Sequence, residues 1–233
     1  MVTFQFFILY KKISLFLLCC AATIIMGSGC SLHKIRSIEI NDLTLKNEIN
    51  QSITDAYPDR FKAIHRVILT IAGKNYVLNG YLFVDRPGRE IKLTAQNDLG
   101  GIIFDLHFIK NLKKKINVNV NMIKQEWLEN SVLRDLEILY LAKPFVSPLL
   151  FSDQNDNFIL SKEDGQITQQ FIYKQIQKPL KYRLMKIRHM KNGKCVYMAD
   201  FKYGTAADNL YPDVIIIKDT KMEYNLQINV RYF

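Results

Sequence analysis

The chain has 233 residues, with 32 Lys and Arg against 22 Asp and Glu for a formal net charge of +10, and four cysteines. This length is comfortable for one domain with a real core, and the cysteines lack the paired spacing of a metal site. Charge alone speaks only to solubility and non-specific partners; for an exported chain the anions it meets are lipid head groups, which excludes nucleic acid as the expected partner.

Lys11 and Lys12 precede an apolar run, Ile13 to Met26, that closes on Gly27-Ser28-Gly29-Cys30. That order is the layout of a secretory signal with its cleavage region, and the run is too short for a comfortable membrane span. Residues 1–29 are therefore expected to be the signal, with an ordinary cut nearby or an uncleaved anchor as the other readings. Gly27-Ser28-Gly29-Cys30 resembles the lipobox of bacterial lipoproteins. The resemblance implies that Cys30 receives a thioether-linked diacylglyceride and an acyl chain such as palmitate on its amine. Ser31, standing where an aspartate would retain such a protein in the inner membrane, implies by the same resemblance an outer-membrane location facing the periplasm. Acylation of Cys30 and a disulfide between Cys30 and Cys195 exclude each other.

Residues 30–60 are polar and irregular, with a Tyr57-Pro58 break, and read as a tether leading to a short helix or loop. Alternation then begins, the pattern of half-buried strands. Val67, Leu69 and Ile71 share a face, Gly73-Lys74-Asn75 turns the chain, and Tyr76, Leu78, Leu82 and Val84 carry the return strand to Arg86-Pro87-Gly88. Ile91, Leu93 and Ala95 precede the Asn97 to Gly101 turn; Ile102, Phe104, Leu106 and Phe108 follow it. After a basic turn at Lys113-Lys114-Lys115 come Ile116, Val118, Val120 and Met122. Turns this short predict a meander of about five antiparallel strands.

One helix is expected between Asn130 and Ala142, capped by Asn130 or Ser131, with Leu133, Leu136, Leu139 and Tyr140 as its apolar stripe and Pro144 as its stop. The aromatic-rich connection Phe145 to Phe151 and a polar loop, Ser152 to Asn157, follow. Strands return at Ile167 to Ile176, Leu180 to Arg188, Lys194 to Tyr203 and Val214 to Lys218, and from Met222 through Val230. The expected total is about ten strands and one or two helices, a sheet long enough that it must curl to cover its own apolar face.

Several of these segments resemble the bacterial lipoproteins related to the outer-membrane acceptor LolB and its periplasmic carrier LolA. They are the Asn97-Asp98-Leu99-Gly100 hairpin with Phe104-Asp105-Leu106, the helix motif Val132-Leu133-Arg134-Asp135-Leu136 with Tyr140 and Pro144, and Leu210 to Ile216 with the final strand. The branch most resembled has no established activity. The resemblance spans most of residues 61–232 and implies a mainly β, α+β fold: a curved antiparallel sheet forming an incomplete LolA/LolB-like barrel with a helical lid over residues 61–233. It further implies an apolar cavity for acyl chains, with Leu93, Phe104, Leu106, Val118, Val120, Leu133, Leu136 and Tyr140 as candidate lining.

No motif demands catalysis: the chain lacks a Gly-x-Ser-x-Gly elbow, a phosphate-cradling glycine loop and a His-Glu-x-x-His pair. Asp153-x-Asn155-x-Asn157 approaches a calcium loop, but Phe158 stands where the tight turn requires glycine. No metal, cofactor or enzymatic activity is therefore expected. Arg134-Asp135 reads as an exposed ion pair or an anchor to a neighbouring strand. Lys113, Lys114, Lys115, Lys186, Arg188, Lys191 and Lys194 are the candidate contacts to anionic lipid, the bland alternative being a solvated strand face. The expected function is that of a monomeric, lipid-anchored protein that binds acyl chains or a lipidated ligand. The alternative is a non-enzymatic structural or accessory envelope lipoprotein acting through protein contacts.

Overall fold

A computed structural model describes residues 38–119, 124–176, 182–204 and 211–233. The expected signal, Cys30 and Val120 lie outside them. Thirteen strands form a single antiparallel sheet in the order β1-β7-β8-β9-β10-β11-β12-β13-β2-β3-β4-β5-β6. Its ends, β1 (Ile38–Glu39) and β6 (Lys113–Val118), do not pair with each other, so the barrel stays open. Among the described residues no helix is long and apolar enough to cross a membrane.

The first half of the sheet is the expected meander: β2 (Arg60–Ile71), β3 (Lys74–Asp85), β4 (Glu90–Gln96), β5 (Ile102–Ile109) and β6. The second half comprises β7 (Leu149–Ser152), β8 (Asn157–Asp164), β9 (Ile167–Gln175), β10 (Tyr182–Lys191), β11 (Lys194–Lys202), β12 (Val214–Asp219) and β13 (Tyr224–Tyr232). The final strand pairs with β2, joining the halves. Register explains the core. Leu160, Phe171, Ile187, Ala199, Ile217, Leu226 and Leu69 stand opposite one another across seven consecutive strands, and all are buried. Because side chains alternate faces along a strand, such a layer lies wholly on the inner face.

The stretch before the meander, expected as a tether leading to a short helix or loop, holds a helix. α1 (Leu43–Asp55) is a full helix, started by Asp42, whose carboxylate accepts the N–H groups of Thr44 at 2.9 Å and Leu45 at 3.0 Å. Leu45, Ile49 and Ile53 recur every four residues, and Ile49 and Ile53 are fully packed against the core that includes β8 and β10. Ahead of α1, β1 pairs with β7, so the described sheet includes Ile38 and Glu39.

The expected helix also begins earlier, and its stripe is continuous through three segments: α2 (Gln125–Trp127), a π-helical stretch (Leu128–Leu133) and α3 (Arg134–Tyr140). Asn130 and Ser131 are not caps. Both fall inside the π-helical stretch, where Ser131 is buried. The helix ends at Leu141, three residues before Pro144. Its carbonyl end and that of α1 share one cation. Arg86, in the β3–β4 turn, donates from Nε to the Tyr140 oxygen at 3.1 Å, from Nη1 to Tyr57 at 2.8 Å and to Thr54, and from Nη2 to Ile53 at 3.0 Å. These are the orphan carbonyls every helix leaves at its C-terminus. Asn50 adds a reciprocal pair with the backbone of Phe145, its Nδ2 donating at 2.9 Å and its Oδ1 accepting at 2.8 Å.

Candidate functional site

The composite helix 125–140 crosses the inner face of β12, β13 and β2 to β5. Beneath it remains a cavity of about 60 Å³. Its floor is Val67, Leu69, Leu78, Leu93, Phe104, Leu226 and Ile228; Trp127, Val132, Leu136 and Leu139 close it from above, and His65 and Asp135 are the polar members. Gly80 completes the floor: a methyl group there would lie 3.1 Å from the Leu93 side chain.

Of the eight lining candidates, Leu93, Phe104 and Leu136 meet at this cavity. Leu106, Leu133 and Tyr140 are buried in the surrounding core without lining it, and Val118 is half-buried against that core near the sheet edge. The described candidates thus divide between this cavity and the packed core around it. Tyr140 instead serves the core, its hydroxyl 3.0 Å from His65 Nε2 and its ring set edge-on to Tyr57 and Phe61. Burial pushes the His65 imidazole down to about 4, so it sits neutral.

A second feature was not visible in the sequence. Two residues along each strand from the apolar layer, on the same face, Lys162, Gln169, His189, Tyr197, Asp219 and Tyr224 form a polar row across six strands. Arg134 closes onto this row from the helix. Its Nη2 lies 2.6 Å from Asp219, 2.8 Å from Asp135 and 2.8 Å from the Tyr224 hydroxyl, and its guanidinium covers the Tyr197 ring at 5.3 Å. Tyr224 donates to Asp135 at 2.5 Å. Arg134-Asp135 is thus an anchor to β12 and β13 rather than an exposed pair, for Asp135 is only 3% exposed. Burial pushes the Asp135 carboxyl up to about 6 against the opposing pull of Arg134 and Tyr224.

Beside the helix, on the side away from the cavity, an open cleft of about 520 Å³ runs between α3 with its following loop and the β8–β10 half of the sheet. Phe145, Phe171, Ile138 and Leu141 supply apolar walls, while Arg89, Lys110, Lys143 and Lys162 supply charge. A volume of about 300–1,000 Å³ is what ligand sites usually offer; the cleft meets that, and the cavity under the helix does not.

The basic candidates are arranged differently from expectation. Lys113 to Lys115 belong to β6 and not to a turn, since the β5–β6 connection falls before Lys113. Lys114 pairs with Glu129 at 2.5 Å, and Lys115 is exposed on this edge strand, where lysines discourage strand addition. Lys186 pairs with Asp200 at 2.7 Å. Arg188 is half-buried, and Lys191 and Lys194 are exposed at the β10–β11 hairpin. Following the antiparallel registers from β10 to β6 places that hairpin and the β5–β6 turn at opposite edges of the sheet. Asp153, in the calcium-like stretch, uses Oδ1 to accept the N–H groups of Asn155 at 2.8 Å and Asn157 at 3.0 Å, which closes the β7–β8 turn.

No family model matches the chain, and no curated protein does. Among solved structures, a DUF1329 family protein from Desulfovibrio piger superposes with a TM-score of 0.56 at 10% identity, over 81% of this chain and 90% of its own. That likeness is one of fold: a mostly antiparallel, unclosed sheet with a short helical segment. A candidate outer membrane lipoprotein-sorting protein domain from Vibrio parahaemolyticus overlaps at a TM-score of 0.45 and 12% identity, over 79% of this chain and 91% of its own. An overlap so loose carries no functional comparison.

Proposed function

We propose that this protein is a lipid-anchored envelope protein, held at the outer membrane by an acylated Cys30, that binds acyl chains on the inner face of its open sheet. The composite helix 125–140 is the lid. The supporting observation is the cavity of about 60 Å³ under that helix, walled by Leu, Ile, Val, Phe and Trp side chains on both floor and roof. A ligand needs several times that space, so the helix must lift. Its middle is suited to rearrangement: π-helical turns are rare and concentrate at functional sites, and here one separates Trp127 from the anchored α3. When the helix rises, Leu69, Leu93, Phe104, Leu226 and Ile228 become one apolar groove. The work is binding, not bond-breaking.

The same small volume favours a second reading, a filled scaffold that acts through protein contacts. Lipid analysis separates the two. Protein purified in mild detergent should carry an acyl lipid in a fixed proportion beyond its own anchor; a lipid-free protein that instead co-purifies with one envelope protein would support the scaffold.

A further inference from the structure

Building on the acyl-binding reading, we infer that the cleft beside the helix is a second lipid site, separate from the groove beneath the helix, that selects an anionic lipid, holding its phosphate with Arg89, Lys143 and Lys162 while its chain lies against Phe145, Phe171 and Leu141. The charge count of the cleft carries this. Its one wall carboxylate, Glu137, is already engaged by Lys110 at 3.1 Å. Arg134 is ion-paired through Nη2 with Asp135 and Asp219, although its buried Nε has no partner among the described residues. Arg89, Lys143 and Lys162 have no side-chain ion pair or hydrogen bond among the described residues, which leaves three uncompensated cations around one space of about 520 Å³.

Lys143 is exposed at the rim, but the other two cations are not fully solvated. Arg89 and Lys162 are half-buried, and Lys162 stands on the inner face in the polar row, one layer from Phe171 on the neighbouring strand. A cation turned toward a protein interior without a partner is unfavourable until an anion joins it. Phe145 and Phe171, in edge contact at 5.0 Å, are half-buried and buried beside them, and Val146 on the rim is 80% exposed. Positive charge over an apolar floor matches a molecule with a phosphate at one end and a chain at the other. A free inorganic anion leaves the floor unused, and a neutral lipid leaves the cations unmatched.

The test measures binding of three probes to the full-length protein in a neutral detergent: palmitoyl lysophosphatidic acid, the uncharged palmitoyl monoacylglycerol, and inorganic phosphate. The charged lipid should bind at least about tenfold tighter than the neutral one, and phosphate should compete with it poorly. Raising salt should shrink that preference. In the triple variant R89Q/K143Q/K162Q the preference should vanish while monoacylglycerol binding and the melting temperature stay as they were. Equal binding of the two lipids by the native protein would overturn the anionic selection and leave acyl binding standing. Phosphate competing as well as the lipid would overturn the amphiphile. Binding of neither lipid would overturn the acyl-binding reading along with it.

Discussion

Arg86 Nε donates to the carbonyl oxygen of Tyr140 at 3.1 Å, and through this one contact the turn between β3 and β4 holds the end of the lid helix. The remaining guanidinium nitrogens hold the end of α1 through Ile53, Thr54 and Tyr57. One side chain thereby fixes two helices that are far apart in sequence.

Arg86→Gln should accordingly destabilise the fold by about 2–4 kcal/mol, because several charge-assisted bonds disappear and buried carbonyls lose their donors. Urea unfolding measures it. A loss below about 0.5 kcal/mol would mean water replaces the guanidinium at both helix ends.

The stability that His65 contributes should be lost on acidification from about pH 6.5 to 4. His65 is 2% exposed and its folded value is lowered to about 4 by burial, so across that window the unfolded chain takes up the proton and the folded chain does not. That one group is worth about 3 kcal/mol. Asp135 works the other way, since its folded value is raised to about 6 and the fold gains as it protonates. Comparing the native protein with His65→Asn at pH 6.5 and pH 4 isolates the first effect: the variant should lose less. Identical pH profiles would contradict a neutral buried imidazole.

Much of the sheet was legible because alternation reports one buried face. Strands β2 to β5 and β9 to β13 carry long, regular patterns, and most of the turns between them contain Gly, Asn or Pro. β1, β7 and β8 were missed, being two, four and eight residues long, with β7 and β8 split by a polar turn. α1 left a signal that could have been read, Asp42 ahead of Leu45, Ile49 and Ile53, but the polar residues between them masked the period. The Lys113 to Lys115 run suggested a turn by charge, although its neighbours in register, His107 to Ile109, make it a strand. The polar row from Lys162 to Tyr224 could not be read at all. It draws one residue from each of six strands, and only the register aligns them.

The two basic edges should behave differently on membranes. Lys191 and Lys194 project from an exposed hairpin, while Lys114 is held by Glu129 at the opposite edge. Lys191→Gln with Lys194→Gln should weaken low-salt binding to anionic vesicles, by on the order of 1 kcal/mol per charge, and replacing Lys113 to Lys115 should leave it unchanged. Vesicle co-sedimentation at low and high salt reads both. The reverse ranking would put the β6 edge against the bilayer.

Anchoring has its own test. Cys30→Ala should move the protein from the membrane to the soluble fraction and abolish labelling by an alkyne fatty acid; persistent labelling would locate the acyl chain elsewhere.

The lid-over-groove account is tested most directly at Leu136, which roofs the cavity and is 4% exposed. A photoactivatable residue at that position, irradiated in intact cells and analysed by mass spectrometry, should yield a lipid adduct distinct from the Cys30 anchor. Adducts confined to the protein's own strands or to another polypeptide would contradict acyl binding beneath the helix.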